Sequence, residues 1–165
     1  MMHEAKFYVG ELENLLLIKI QGSSTMDNVE PLRYFIKNMD IKNYDKILID
    51  FEETNYLDST SLGLIAHMAV NFMKIKKEKV LFINLNDELK NTFISFGFKN
   101  IANIINDKYM ELENLKLYEL PKSSKKIKPE DILLAHKQLF ELNDSNKKIF
   151  KNVIELLEKE IKKAK

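Results

Sequence analysis

Two stretches of the chain are apolar almost without a break: Lys46-Ile47-Leu48-Ile49-Asp50-Phe51 and Lys79-Val80-Leu81-Phe82-Ile83-Asn84. Runs of this length predict strands buried on both faces, the pattern of a parallel sheet covered by helices. Leu15–Ile20 reads as a third strong strand, Phe7–Val9 as a short one, and Ile101–Ile105 as a weak fifth. Helical spacing fills the intervals. Val29, Leu32, Ile36 and Met39 form one stripe, with Pro31 in the first turn, where its missing N–H costs nothing. Leu62, Ile65, Ala66, Ala69 and Met73 form a second. Leu89, Phe93 and Phe96 form a third, opened by Asn86-Asp87 and closed by Gly97. Strands alternating with helices predict an α/β fold with a mostly parallel or mixed sheet of four to five strands.

The pattern changes after Leu120-Pro121. Lys122-Ser123-Ser124-Lys125-Lys126 is polar and reads as linker. Two helical patterns follow, one over Glu130–Leu142 and one running to the C-terminus, separated by an Asn143-Asp144-Ser145 turn. The organisation expected is a body over residues 5–118, a linker over 119–129 and a helical hairpin over 130–165. A hairpin cannot bury its apolar faces alone. It is expected to pack through Leu139, Val153 and Leu157, either on the body or on a second chain, which would make a homodimer through the hairpin.

Composition narrows the chemistry. The 165 residues include no Cys, which removes disulfides, thiolate metal sites and cysteine nucleophiles. Residues 1–120 carry 14 Lys and Arg against 18 Asp and Glu, whereas residues 121–165 carry 12 against 7. An acidic body with a basic tail lacks the footprint of a nucleic-acid binder. No apolar run is long enough for a membrane span, and the start at Met1–Lys6 lacks a signal-peptide pattern, so a cytoplasmic location is expected. His3, His67 and His136 have no metal-ligand spacing, and no phosphate-binding glycine loop or nucleophile elbow is present. The expectation is a non-enzyme with no metal or cofactor.

The segment Tyr56-Leu57-Asp58-Ser59-Thr60-Ser61-Leu62-Gly63-Leu64-Ile65 follows a buried strand and opens an amphipathic helix. Asp58 or Ser59 suffices to cap the orphan N–H groups of the first turn, and yet four capping residues stand in a row. The segment resembles the signature of the STAS family of anti-sigma-factor antagonists, in which Asp-Ser-Ser/Thr-Gly-Leu-Gly begins a helix after a strand. Asp58, Ser59, Thr60, Leu62 and Gly63 match in order, and the order of elements matches over roughly residues 5–118. The family's first glycine is replaced by Ser61.

The resemblance implies phosphorylation of Ser59, with Thr60 a secondary acceptor, by an ATP-dependent anti-sigma serine kinase. A PP2C-type phosphatase would reset the protein. The partner surface expected comprises Ser23, Ser24, Thr25, Asp58, Ser59, Thr60 and Ser61. Leu64, Met68 and Phe72 join it, on the side of the helix opposite its core stripe, where a partner or the hairpin would cover them. Added charge at Ser59 would end binding at a desolvated contact. Two rivals stand beside this reading. One is a constitutive STAS scaffold or transporter-associated subunit without a phosphoswitch. The other is a serine hydrolase using Ser59, for which the sequence offers no convincing histidine.

Overall fold

The computed structural model describes residues 4–106, 112 and 114–165; His3 and the two residues before it lie outside that range. β1 (Lys6–Leu12) and β2 (Leu15–Ser24) form an antiparallel hairpin joined at Glu13-Asn14, with Glu13 at a left-handed φ of 54°. After α1 (Glu30–Asn38), β3 (Lys46–Asp50) pairs parallel with the first half of β2. β4 (Thr54–Leu57) pairs parallel with the second half of β2. α2 (Ser59–Lys76), β5 (Val80–Ile83), α3 (Asp87–Ser95) and β6 (Ala102–Ile104) follow, with β5 parallel to β3 and β6 parallel to β5. β7 (Tyr118–Glu119) pairs antiparallel with β1. The sheet order is β6-β5-β3-β2-β1-β7, with β4 attached to β2 off this path.

The fold is thus α/β with a mixed sheet, and the described residues give it seven strands instead of four or five. The two unforeseen strands are short. β4 has an exposed middle, and β7 is two residues long, so neither carries a period-2 signal. Alternation inside the strong strands assigns Leu16, Ile18, Ile47 and Ile49 to one face and Leu17 and Leu48 to the other. The helices among the described residues pack on the first face. Leu112, Leu115 and Leu117 pack against the second, so among the described residues no helix covers that face, where the apolar runs predicted helices on both.

The main core holds Phe51, Phe82, Phe93 and Phe98, with Phe82 and Phe93 4.6 Å apart between ring centroids. Each such buried ring contributes about 1.5–3 kcal/mol. The C-terminal helices, α4 (Pro129–Phe140) and α5 (Asp144–Ala164), form a hairpin that lies on this same core through Ile132, Ala135, Leu139, Phe150 and Ile154. Val153 and Leu157 are half-buried against it. The connection is shorter than the expected linker: Leu120 N–H donates to Phe7 O at 2.7 Å and Ile127 is buried.

Candidate functional site

The turn from β4 into α2 is built around Asp58. Its Oδ1 accepts from the Ser61 N–H at 2.8 Å, which makes it the N-cap, and its Oδ2 accepts from the Met26 N–H at 2.8 Å. Its own N–H donates to Ser24 O at 3.1 Å. One side chain therefore joins the helix start to the residues just after β2. Ser59 is the first helical residue and is half-buried.

Gly22 makes the neighbouring backbone possible. It takes a left-handed φ of 84°, where β2 leaves β3 and shifts register onto β4. The next two residues, Ser23 and Ser24, are the last of β2 and are buried, not part of an exposed loop. Asn28 ties the segment down by donating to Ser23 O and accepting from the Thr25 N–H. Ser24 and Ser61 hydroxyls lie 2.7 Å apart in the interior. Ser61, which stands where the STAS signature has glycine, therefore points into the protein.

That contact marks the Ser61 side of α2 as inward-facing. Residues i+4, i+7 and i+11 from Ser61 share its side of a helix, so Ile65, Met68 and Phe72 face the sheet. Leu64, Met68 and Phe72 are 2%, 0% and 0% exposed. They are core residues, and their assignment to a partner surface is corrected; a helix apolar on almost every side gives no sequence signal of which stripe faces inward. Ser23, Ser24, Thr60 and Ser61 are likewise buried, which leaves Thr25, Asp58 and Ser59 partly accessible.

The side of α2 remote from the sheet carries Ser59, Gly63 and His67, and α4 lies across it. A Cβ on Gly63 would stand 2.6 Å from the Ala135 Cβ and closer still to its backbone, so the two helices touch there. His67 Nδ1 meets Gln138 Oε1 at 3.3 Å, with the Asn71 amide donating to Nε2 at 3.2 Å. Arg33 of α1, held by Glu30 through two contacts of 2.7 Å, reaches Asp131 of α4 at 3.6 Å.

His136 is the partner that sequence reasoning missed. Its Nδ1–H donates to the Ile132 carbonyl at 2.7 Å, which turns Nε2 toward Ser59. Ser59 Oγ and His136 Nε2 share a hydrogen bond of 3.0 Å. The ring is 6% exposed and meets Phe150 edge-on at 5.5 Å. Hydroxyl and imidazole thus stand in nucleophile–base geometry, but a backbone carbonyl, not a carboxylate, orients the ring. The two residues are 77 positions apart, a separation no motif spacing would flag.

A cleft of about 380 Å³ opens beside Ser59, lined by Tyr56, Asp58, Leu62, Glu88, Thr92 and Ile149 among others. Among the described residues no group of three or more His, Asp or Glu is placed to hold a metal ion, and no helix is long and apolar enough to cross a membrane.

No protein-family model matches the chain, and no curated protein matches it in sequence. Among solved structures, the anti-sigma factor antagonist SpoIIAA in its unphosphorylated form matches with a TM-score of 0.50 and 19% identity, over 62% of this chain and 89% of that one. At that identity the likeness bears on architecture, and together with the sheet order and the Asp58–Ser59 helix start it identifies the chain's fold as STAS-like.

Proposed function

We propose that this chain is a cytoplasmic protein-binding switch of the anti-sigma-factor-antagonist kind, with Ser59 as its phosphoryl acceptor. The observation that carries the reading is the position of Ser59, the first residue of α2 directly after its cap, Asp58, on a STAS-like fold. The unphosphorylated chain binds and sequesters an anti-sigma serine kinase. Transfer of the terminal phosphoryl group of ATP breaks the Ser59 Oγ–H bond, forms Oγ–P, and releases ADP and a proton. The phosphate adds about two negative charges and leaves the fold in place, because a helix N-terminus favours an anion. A PP2C-type phosphatase restores the hydroxyl.

The site supports this reading in a second way. Ser61 points inward to Ser24, so its substitution for glycine adds no bulk at the surface. Thr60 is buried, which favours Ser59 over it as acceptor. The test is phosphopeptide mapping of the chain from its native cell, with co-purification of its partner. One phosphate on Ser59, and a partner kinase that ATP releases, are expected. Binding that Ser59→Asp leaves unchanged would sink the switch in favour of the constitutive scaffold, for which Ile149 and Leu156, 56% and 60% exposed on α5, offer an assembly face.

A further inference from the structure

We propose that His136 is the built-in counter-ion for a phosphate on Ser59: Nε2 takes up a proton as the phosphate arrives and holds it, which clamps the α4–α5 hairpin to the start of α2. The biological setting rests on the reading of Ser59 as acceptor. The chemical claim concerns a phosphate at position 59 and is testable without a kinase.

Hydrogen-bond capacity decides the protonation. The Ile132 carbonyl only accepts, so its 2.7 Å contact places a hydrogen on Nδ1. Nε2 lies 3.0 Å from Ser59 Oγ. Phosphoryl transfer from a nucleoside triphosphate breaks Oγ–H, forms Oγ–P and releases the nucleoside diphosphate. Position 59 then presents anionic acceptor oxygens and no hydrogen. A bare Nε2 would face them as acceptor against acceptor. The imidazolium has a donor on each nitrogen, one for the Ile132 carbonyl and one for the phosphate. The proton that Oγ gives up balances the one that Nε2 gains. The N–H···O bond so formed is charge-assisted, at about 2.7–2.9 Å, and roughly twice as strong as a neutral one.

The surroundings favour a cation at this ring. The cleft beside Ser59 gives the phosphate room, and its lining includes the carboxylates of Asp58 and Glu88 and, among the described residues, no Lys or Arg. Both Asp58 oxygens are engaged by the Ser61 and Met26 N–H groups. From α5 the ring meets Phe150, which carries no charge. His136 is therefore the basic group that the fold places within hydrogen-bond reach of Ser59 Oγ. The ring is buried, so water screens its attraction to an anion only weakly. The pair also joins two elements, because Ser59 opens α2 and His136 belongs to α4. One turn along α2, Gly63 against the Ala135 backbone fixes the separation of the two helices and keeps Nε2 within reach. A phosphate held there bridges the body and the hairpin, whose apolar face stays in the core. Phosphorylation thus tightens the docked hairpin while it changes the charge beside the cleft.

The experiment compares four full-length proteins: serine or phosphoserine at position 59, the latter installed during translation, each with His136 or with His136→Phe. Nitrogen NMR of the imidazole near neutral pH reads His136. The ratio of charged to neutral ring is expected to rise at least tenfold from the serine to the phosphoserine protein. Amide hydrogen exchange reads the hairpin. The phosphate is expected to slow exchange over Ile132–Leu139 at least threefold with His136 in place, and not to slow it in His136→Phe. An unchanged or lower ratio overturns the counter-ion. So does a phosphate that speeds exchange in α4 with His136 present, and so does an equal effect of the phosphate in the two backgrounds. The ratio is read with His136 in place, so it decides the matter even where His136→Phe does not fold. Phosphopeptide mapping of the native chain bears on the acceptor reading alone: a chain never phosphorylated at Ser59 loses the switch, whatever the ratio shows of the counter-ion.

Discussion

The carbonyl oxygen of Ala135 lies 2.2 Å from the point where a Cβ on Gly63 would stand, so α4 crosses α2 at a residue that admits no side chain. Gly63→Ala sets two effects against each other. Alanine in a helix interior gains about 1 kcal/mol over glycine. Overpacking against a backbone that cannot rotate away costs about 1–3 kcal/mol. The clash is expected to win, with a lower urea midpoint and faster amide exchange in α4. A raised midpoint with α4 still protected would show that the helices separate at no cost.

The buried hydroxyls of Ser24 and Ser61 satisfy each other at 2.7 Å. Ser61→Ala or Ser24→Ala alone strands the other hydroxyl in the core and is expected to cost about 1–3 kcal/mol. The double alanine variant should be no worse than either single one. A double-mutant cycle by urea unfolding reads the coupling, and simple additivity would count against the pair.

Asp58 and Ser59 are expected to act on stability through different groups. Asp58→Ala removes the cap on the Ser61 N–H and the bond to Met26, at about 0.5–2 kcal/mol. Ser59→Ala leaves the cap intact and strands His136 Nε2, so its effect should fall on the hairpin. Ser59→Ala combined with His136→Phe should recover part of that loss, as measured by thermal unfolding and by exchange in α4.

Tyr44 supplies a pH signature. Burial, and then its hydrogen bond to Glu11, raise its phenol from 10.0 to about 12. The folded state thus holds this proton more tightly than the unfolded chain does. The associated stability is complete below pH 10 and is lost as pH rises from 10 toward 12. Tyr44→Phe should flatten the fall in melting temperature across that window relative to the parent, and an identical slope in the two proteins would refute the assignment.

Much of this architecture is legible in the sequence for identifiable reasons. β3 and β5 announce themselves because both faces are buried, and Asn86, Asp58 and Asn143 each sit one residue before a helix and cap it through a side-chain oxygen. β4 escapes because its two middle residues are exposed and its pairing with β2 is interrupted by a register shift between Gly22 and Ser23. The sequence leaves open what covers Leu64, Met68 and Phe72, because they and the stripe Leu62, Ile65, Ala69 are all apolar and all buried. His136 is not legible as a site residue, because a histidine buried against a serine from another element leaves no periodic trace.

The exposed segment 121–126 ties the hairpin to the body. A tethered element meets its docking face at an effective concentration on the order of millimolar. Docking of α4 and α5 is therefore an intramolecular event, independent of how dilute the protein is. A second copy of the chain must reach about that concentration before the two trade hairpins. The shortness of a few polar residues thus keeps each chain folded on itself.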